Sequence, residues 1–155
     1  DPNDPASGSF TGNFDSTDDA KNLTLGFLQE GADVILPVGG PIGGGTFAAI
    51  EEQGTEAVGL GVDVDWTATV PEFSHLMLTH ILKKIDVSVY GAIERALNED
   101  PVEPVFVSTL ENGGVDLGPF HDFEGDFDAD VLAGIEALRE AIIAGDVTPS
   151  DYYGE

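Results

Sequence analysis

Seven residues, Gly39-Gly40-Pro41-Ile42-Gly43-Gly44-Gly45, separate the apolar run Ala32 to Val38 from the helix-forming stretch Thr46-Phe47-Ala48-Ala49-Ile50. A strand that hands over to a helix through five glycines leaves the backbone free for positive φ and close approach. A ligand or another chain segment can then lie against bare amides at the helix N-terminus. Further on comes a second strand-like run, Ala57 to Val62, which ends at Asp63. Strand ends in an open parallel sheet face the ligand crevice, so Gly39, Gly40 and Asp63 are expected to line one site.

The rest of the chain alternates in the same way. Residues 1–13 are rich in Pro, Gly, Asn and Ser and read as loop, with at most a short strand near Phe10. Ser16 to Asp19 supplies N-cap candidates for a helix to about Glu30, with Ala20, Leu23, Phe27 and Leu28 on its apolar face. Val34 to Val38 is nearly continuous in apolar residues, as in a strand buried on both faces. A helix from Gly44 to Gln53 follows, stopped by Gly54. The longest periodic segment runs from Ser74 to Leu97, where Leu78, Ile81, Leu82, Ile85, Val89 and Ile93 recur at helical steps. Pro101 and Pro104 close it. Val105–Val107 and Val115–Leu117 read as strands, and Asp128–Ala144 as a helix with Gly145 just past its end. The alternation predicts an α/β fold with a mostly parallel sheet.

Composition excludes several functions. With no cysteine, neither a disulfide framework nor a Cys-based metal or redox site can form. Five basic residues stand against thirty acidic ones, a net charge of −25 that repels phosphate backbones, so nucleic acid is not an expected partner. The acidity reads as a solvated surface. No apolar run reaches membrane-spanning length. The start at Asp1-Pro2, without an initiator methionine, reads as a processed or excised piece. Enzyme signatures are missing too: the glycine loop departs from GxGxxG spacing, and there is no Walker lysine, no GxSxG elbow and no Cys nucleophile.

Five pieces occur in order and register: Gly31-Ala32-Asp33-Val34-Ile35, the Val38–Phe47 glycine loop, Gly61-Val62-Asp63-Val64-Asp65, Thr79 to Asp86, and Asn112 to Leu117. Together they resemble the basic membrane protein family, the nucleoside-binding lipoproteins that serve ABC transporters. The resemblance spans Thr11 to Pro149. It implies a three-layer αβα lobe of the type I periplasmic-binding-protein kind, one of two that close over a nucleoside. This chain would be the second lobe, with residues 1–102 Rossmann-like and 103–155 forming return strands and a C-terminal helix, and the first lobe absent. It further implies an extracytoplasmic or lipid-anchored location, a transporter permease as partner of the full-length protein, and neither catalysis, metal nor cofactor. Carried over by position, Phe14 in Gly12-Asn13-Phe14 stacks on the base, Asp63 holds the ribose hydroxyls, and Lys83 reaches the sugar. Two positions depart from the family pattern: Ser16 stands where aspartate is usual, and Trp66 where glutamine often follows the second aspartate.

Each of these residues has an ordinary role to weigh against that. Phe14 could be a core aromatic, but its polar Gly/Asn/Asp setting suits stacking on a planar ligand better. Asp63 could merely cap the loop after its strand, yet a carboxylate is an acceptor suited to two hydroxyls at once. Lys83 and Lys84, read as mid-helix, could snorkel to solvent. His75 and His80 on one helix would stand about 140° apart, which denies them a shared metal face. The stretch His121–Asp128 misses the EF-hand spacing, and Asp126 or Asp128 reads as a helix cap. The alternatives to a nucleoside are another small polar solute such as a sugar, or the effector-sensing domain of a regulator.

Overall fold

The computed structural model describes residues 9–99 and 105–148. Its elements are α1 (Thr17–Gln29), β1 (Val34–Ile35), α2 (Gly44–Gln53), β2 (Val58–Asp63), β3 (Met77–Lys83), α3 (Ile85–Leu97), β4 (Val115–Leu117) and α4 (Ala129–Ala144). The strands form one sheet in the order β1-β2-β3-β4. β1 and β2 pair in parallel, with Val34 opposite Val58 and Ile35 opposite Gly59. At the other edge, Gly118 N donates to His80 O (2.7 Å) and Lys84 N to Gly114 O (3.0 Å). Partner numbers that fall as the strand number rises mark an antiparallel pair, so β4 returns along a sheet that is otherwise parallel. The α/β class expected from the alternation is the one observed.

The described residues fall into two compact units, one running up to Ile81 and taking in Leu117–Gly125, the other holding Leu82–Asp116 and the residues from Asp126 on. The first unit carries the core. Phe47, Ile50, Met77 and His80 are its largest fully buried side chains, and Phe47, Trp66 and Met77 form a cluster against which Val70, Phe73 and Leu76 pack. Phe47 meets Trp66 in a tilted ring contact at 5.8 Å and stacks on Phe73 at 6.3 Å. Helix α1 lies on α2 through a buried hydroxyl pair, Thr24 with Thr46 at 2.9 Å, and through the Lys21–Glu52 ion pair. Ser16 caps α1 as expected, its hydroxyl accepting from Asp19 N.

In the second unit neither α3 nor α4 buries a residue, and Ile85, Val89, Ile93 and Leu97 remain exposed. Arg139 there pairs with Asp116 and Glu136, Arg95 lies over the Phe106 ring at 4.8 Å, and Ser88 bonds to Ser108 across 2.9 Å.

Several expectations are corrected. The single helix from Ser74 to Leu97 is a 3-10 turn (Pro71–Leu76), the strand β3 and a shorter helix α3. A short, nearly continuous apolar run fits strand or helix alike, and here Thr79 decides, its hydroxyl donating to Gly118 O at 2.8 Å while His80 O takes the neighbouring amide. Lys83 therefore ends a strand and Lys84 precedes a helix. Val105–Val107 is not a strand: the Asn112 side chain occupies Val107 O and caps Thr109 N, so the local backbone is paired within a turn. The strand at Val34–Val38 shrinks to Val34–Ile35, and Val34, Leu36 and Val38 are exposed rather than buried on both faces. No strand forms at Phe10, and Asp128 precedes α4 without a side-chain capping bond.

β2 admits α2 because it is bare at the contact. A Cβ at Gly59 would lie 2.4 Å from Phe47 Cε1 and 2.8 Å from Cζ, and that ring is fully buried and cannot swing aside. Gly59→Ala is expected to cost about 1–3 kcal/mol through overpacking. In a Phe47→Leu background the same change should cost clearly less. Chemical denaturation of the double-mutant cycle measures both.

Candidate functional site

Two cavities open in the first unit, and the glycine loop lines both. The larger, about 520 Å3, is bounded by Phe10, Phe14, Leu23, Phe27, Val38 and Gly39 among others. The smaller, about 350 Å3, is bounded by Gly40, Pro41, Asp63, Trp66 and Val70. Both fall within the roughly 300–1,000 Å3 usual for small-molecule sites.

Phe14 is held at the larger cavity by its neighbour. Asn13 Oδ1 accepts from Asp15 N (3.1 Å) and Ser16 N (2.8 Å), and its Nδ2 donates to Asp19 Oδ2 (2.7 Å). One amide side chain thus ties the loop to the first turn of α1, leaving the Phe14 ring 73% exposed. The Phe14 ring therefore fills no core and stands on the cavity wall.

Asp63 closes β2 with φ +75°, a left-handed conformation that non-glycine residues adopt at a cost. The chain turns there, bringing Gly40 and Asp63 to one cavity while Phe14 and Gly39 share the other. Lys83 belongs to the second unit, where it is exposed at the end of β3.

A third cluster in the first unit escaped the sequence. Asp65 caps the 3-10 turn Trp66–Ala68, its Oδ1 accepting from Thr67 N (3.0 Å) and Thr67 Oγ1 (2.6 Å), while Oδ2 meets His121 Nε2 at 2.8 Å. His80 Nδ1 stands 3.7 Å from Asp65 Oδ1, and the two imidazoles meet edge to face at 6.0 Å. His80 is fully buried, and among the described residues neither of its ring nitrogens has a hydrogen-bond partner. It fits only because β2 is bare beneath it: a Cβ at Gly61 would lie 2.0 Å from His80 Cδ2. These three side chains could hold a metal ion. The helical angle denies His75 and His80 a shared metal face, but His80 is a strand residue, so that angle does not apply. Asp65, His80 and His121 are distant in sequence, and only the second carboxylate of Asp63-Val64-Asp65 hinted at them.

Electrostatics suit the cluster. Burial pushes the His80 pKa below its ordinary value, more than the Asp65 charge lifts it, so its ring is neutral at pH 7. Burial works to raise the Asp65 pKa, but hydrogen bonds from Thr67 and His121 outweigh it and hold the carboxyl below the usual range. Because His80 binds a proton less readily folded than unfolded, the unfolded chain carries the extra proton once pH falls below about 6.5. Stability should be flat above neutrality and fall as pH drops from there toward the folded value, with a slope of at most about 1.4 kcal/mol per pH unit from this group. Urea denaturation in EDTA-containing buffers from pH 8 to 5 checks this, and His80→Gln should flatten the slope.

The model of the family described as ABC transporter substrate-binding protein, PnrA-like, matches residues 7–144. Two uncharacterized lipoproteins, from Pyrococcus abyssi and Pyrococcus horikoshii, are each 29% identical over 147 residues, 92% of this chain and 33% of theirs. Among solved structures, a solute-binding protein of an ABC transporter system from Aeropyrum pernix is similar with a TM-score of 0.75 at 22% identity, covering 90% of this chain and 46% of that one. A transcriptional activator of the comK gene from Bacillus halodurans shares the fold with a TM-score of 0.74 at 20% identity, over 89% of this chain and 46% of that one. The chain therefore spans about a third of the curated relatives and under half of the solved ones.

Proposed function

Because the chain belongs to the family of PnrA-like substrate-binding proteins of ABC transporters, we propose that it is one lobe of a receptor that takes up a nucleoside and does no chemistry on it. The observation that carries this reading is the exposed Phe14 ring, pinned by Asn13 on the wall of a cavity that it shares with the glycine loop. Phe14 stacks on the base, and the amides of Gly39 and Gly40 line the crevice. Asp63 accepts from two ribose hydroxyls. A further lobe, outside this chain, supplies the second stacking face and excludes water on closure. The share of each relative that the chain spans supports that arrangement.

The transporter permease is the partner of the whole receptor. The lipoprotein relatives support a place outside the cytoplasm, and no helix among the described residues is long and apolar enough to cross a membrane. The comK activator keeps effector sensing as the second reading. Capture of the permease by the whole protein favours transport over sensing.

In the two-lobe protein, Asp63→Ala should cost about 1.5–3 kcal/mol of nucleoside affinity, as for hydrogen bonds to a charged group, and leave affinity for the free base nearly unchanged. Calorimetry with the nucleoside and its base reads the difference, and equal losses for both would remove Asp63 from the sugar.

A receptor returns its ligand intact. Overnight incubation followed by chromatography should recover the nucleoside whole, and release of free base in proportion to protein would replace the receptor with a hydrolase or phosphorylase.

A further inference from the structure

We propose that Asp65, His80 and His121 form a three-ligand site for a divalent transition-metal ion of the zinc class. The proposal stands apart from the nucleoside reading, which uses none of these residues.

Two imidazoles and a carboxylate, each offering one donor atom, lie with those atoms within 4.8 Å of one another. Tetrahedral ligands at about 2.0–2.1 Å from zinc stand roughly 3.3 Å apart. Two of the separations, to the two oxygens of the Asp65 carboxylate, lie within about half an ångström of that value, with His121 Nε2 to Oδ2 at 2.8 Å and His80 Nδ1 to Oδ1 at 3.7 Å. Shifts of a few tenths of an ångström in these two contacts bring them to that spacing.

His80 supplies the independent reason to expect an ion. A fully buried imidazole with neither nitrogen hydrogen-bonded is a costly object, and native folds normally give such groups a partner. Its Nε2 side is closed by β2, where a Cβ at Gly61 would lie 2.7 Å from that atom. Nδ1 is the nitrogen nearest the Asp65 carboxylate, and an ion seated there gives it a bond.

The flanking structure holds the other two ligands. Thr67 fixes Asp65 through its amide and its hydroxyl, as outer-shell partners of metal carboxylates do. His121 opens the 3-10 turn His121–Asp126 with φ +46°, a backbone conformation uncommon for histidine outside constrained sites. Asp65 and His121 are about a third exposed, which leaves a route for the ion and a fourth position for water or a small ligand. Two nitrogens and one oxygen select zinc, cobalt or nickel over calcium and magnesium, which need six or more oxygens.

The test is a Co²⁺ titration of the full chain after dialysis against chelator, in a large excess of Mg²⁺ so that the many surface carboxylates are occupied. One equivalent of Co²⁺ should develop the intense visible bands of a four- or five-coordinate ion, and Zn²⁺ should abolish them stoichiometrically. His121→Ala, at a partly exposed position, and Asp65→Asn should each weaken binding by at least about tenfold. Zn²⁺ should move the imidazole 15N resonances of His80 and His121 and leave those of His75 unchanged. Weak pale-pink octahedral spectra, binding erased by Mg²⁺, or full affinity in a His121→Ala protein with a wild-type circular dichroism spectrum would overturn the site. No nucleoside enters these measurements, so their failure leaves the receptor reading standing.

Discussion

The burial of Phe47 is the contact on which the first unit depends. Its ring reaches β2 over a position with no side chain, meets Trp66 and Phe73, and touches the cluster completed by Met77, the first residue of β3. Helix α2, the strand beside it and the turn after that strand are therefore located by one side chain. Functional geometry inherits this. With α2 fixed, the glycine loop at its N-terminus has a defined place, with Gly39 lining one cavity and Gly40 the other. With Trp66 fixed, Asp65 is held one residue upstream, its carboxylate turned to the histidines.

The parts of this fold legible in the sequence are those whose cause is local. Ser16 before α1, Gly54 after α2 and Gly145 after α4 mark helix ends through the conformations those residues favour, and the observed caps are there. The glycine loop and Asp63 were readable for the same reason, since each sits at the end of a strand whose composition announces it. β3 was not. Leu78, Ile81 and Leu82 satisfy a helical stripe as well as they satisfy a sheet, and the deciding bonds from Thr79 and His80 go to Gly118, remote in the chain. Short apolar runs are settled by partners that a linear reading does not see. The Asp65–His80–His121 cluster was hidden twice over, once by the false helix and once by the 56-residue separation of Asp65 and His121.

The two units handle burial differently. In the first, buried side chains include polar ones, and the hydroxyls of Thr24, Thr46 and Thr79 each have a hydrogen-bond partner, so polarity inside is matched. His80 is the exception among them, with its orphan ring nitrogens. In the second unit the described helices bury no residue, and its order rests on Asn112, which caps a turn through both ends of its amide, and on the Arg139 pairs with Asp116 and Glu136. A segment organised by turns and surface pairs contributes less to global stability than a packed core, because exposed ion pairs are each worth about 0–1 kcal/mol. The fully buried large side chains and the two described cavities alike belong to the first unit.

The end of β2 carries backbone strain. Val64 N bonds back to Val62 O at 3.0 Å across Asp63, whose φ of +75° makes this the strained form of a γ-turn. Such a turn persists only where its surroundings over-determine it. They do so here from both sides: Trp66 Nε1 donates to the same Val62 carbonyl at 2.9 Å, and Asp65 binds Thr67 two residues on. Upstream, β2 is packed against the Phe47 ring. The strained residue carries the carboxylate that lines the smaller cavity, and the residue two further on carries the one that holds His121. The strained turn thus sets one carboxylate of this short acidic sequence on the smaller cavity and the other on His121.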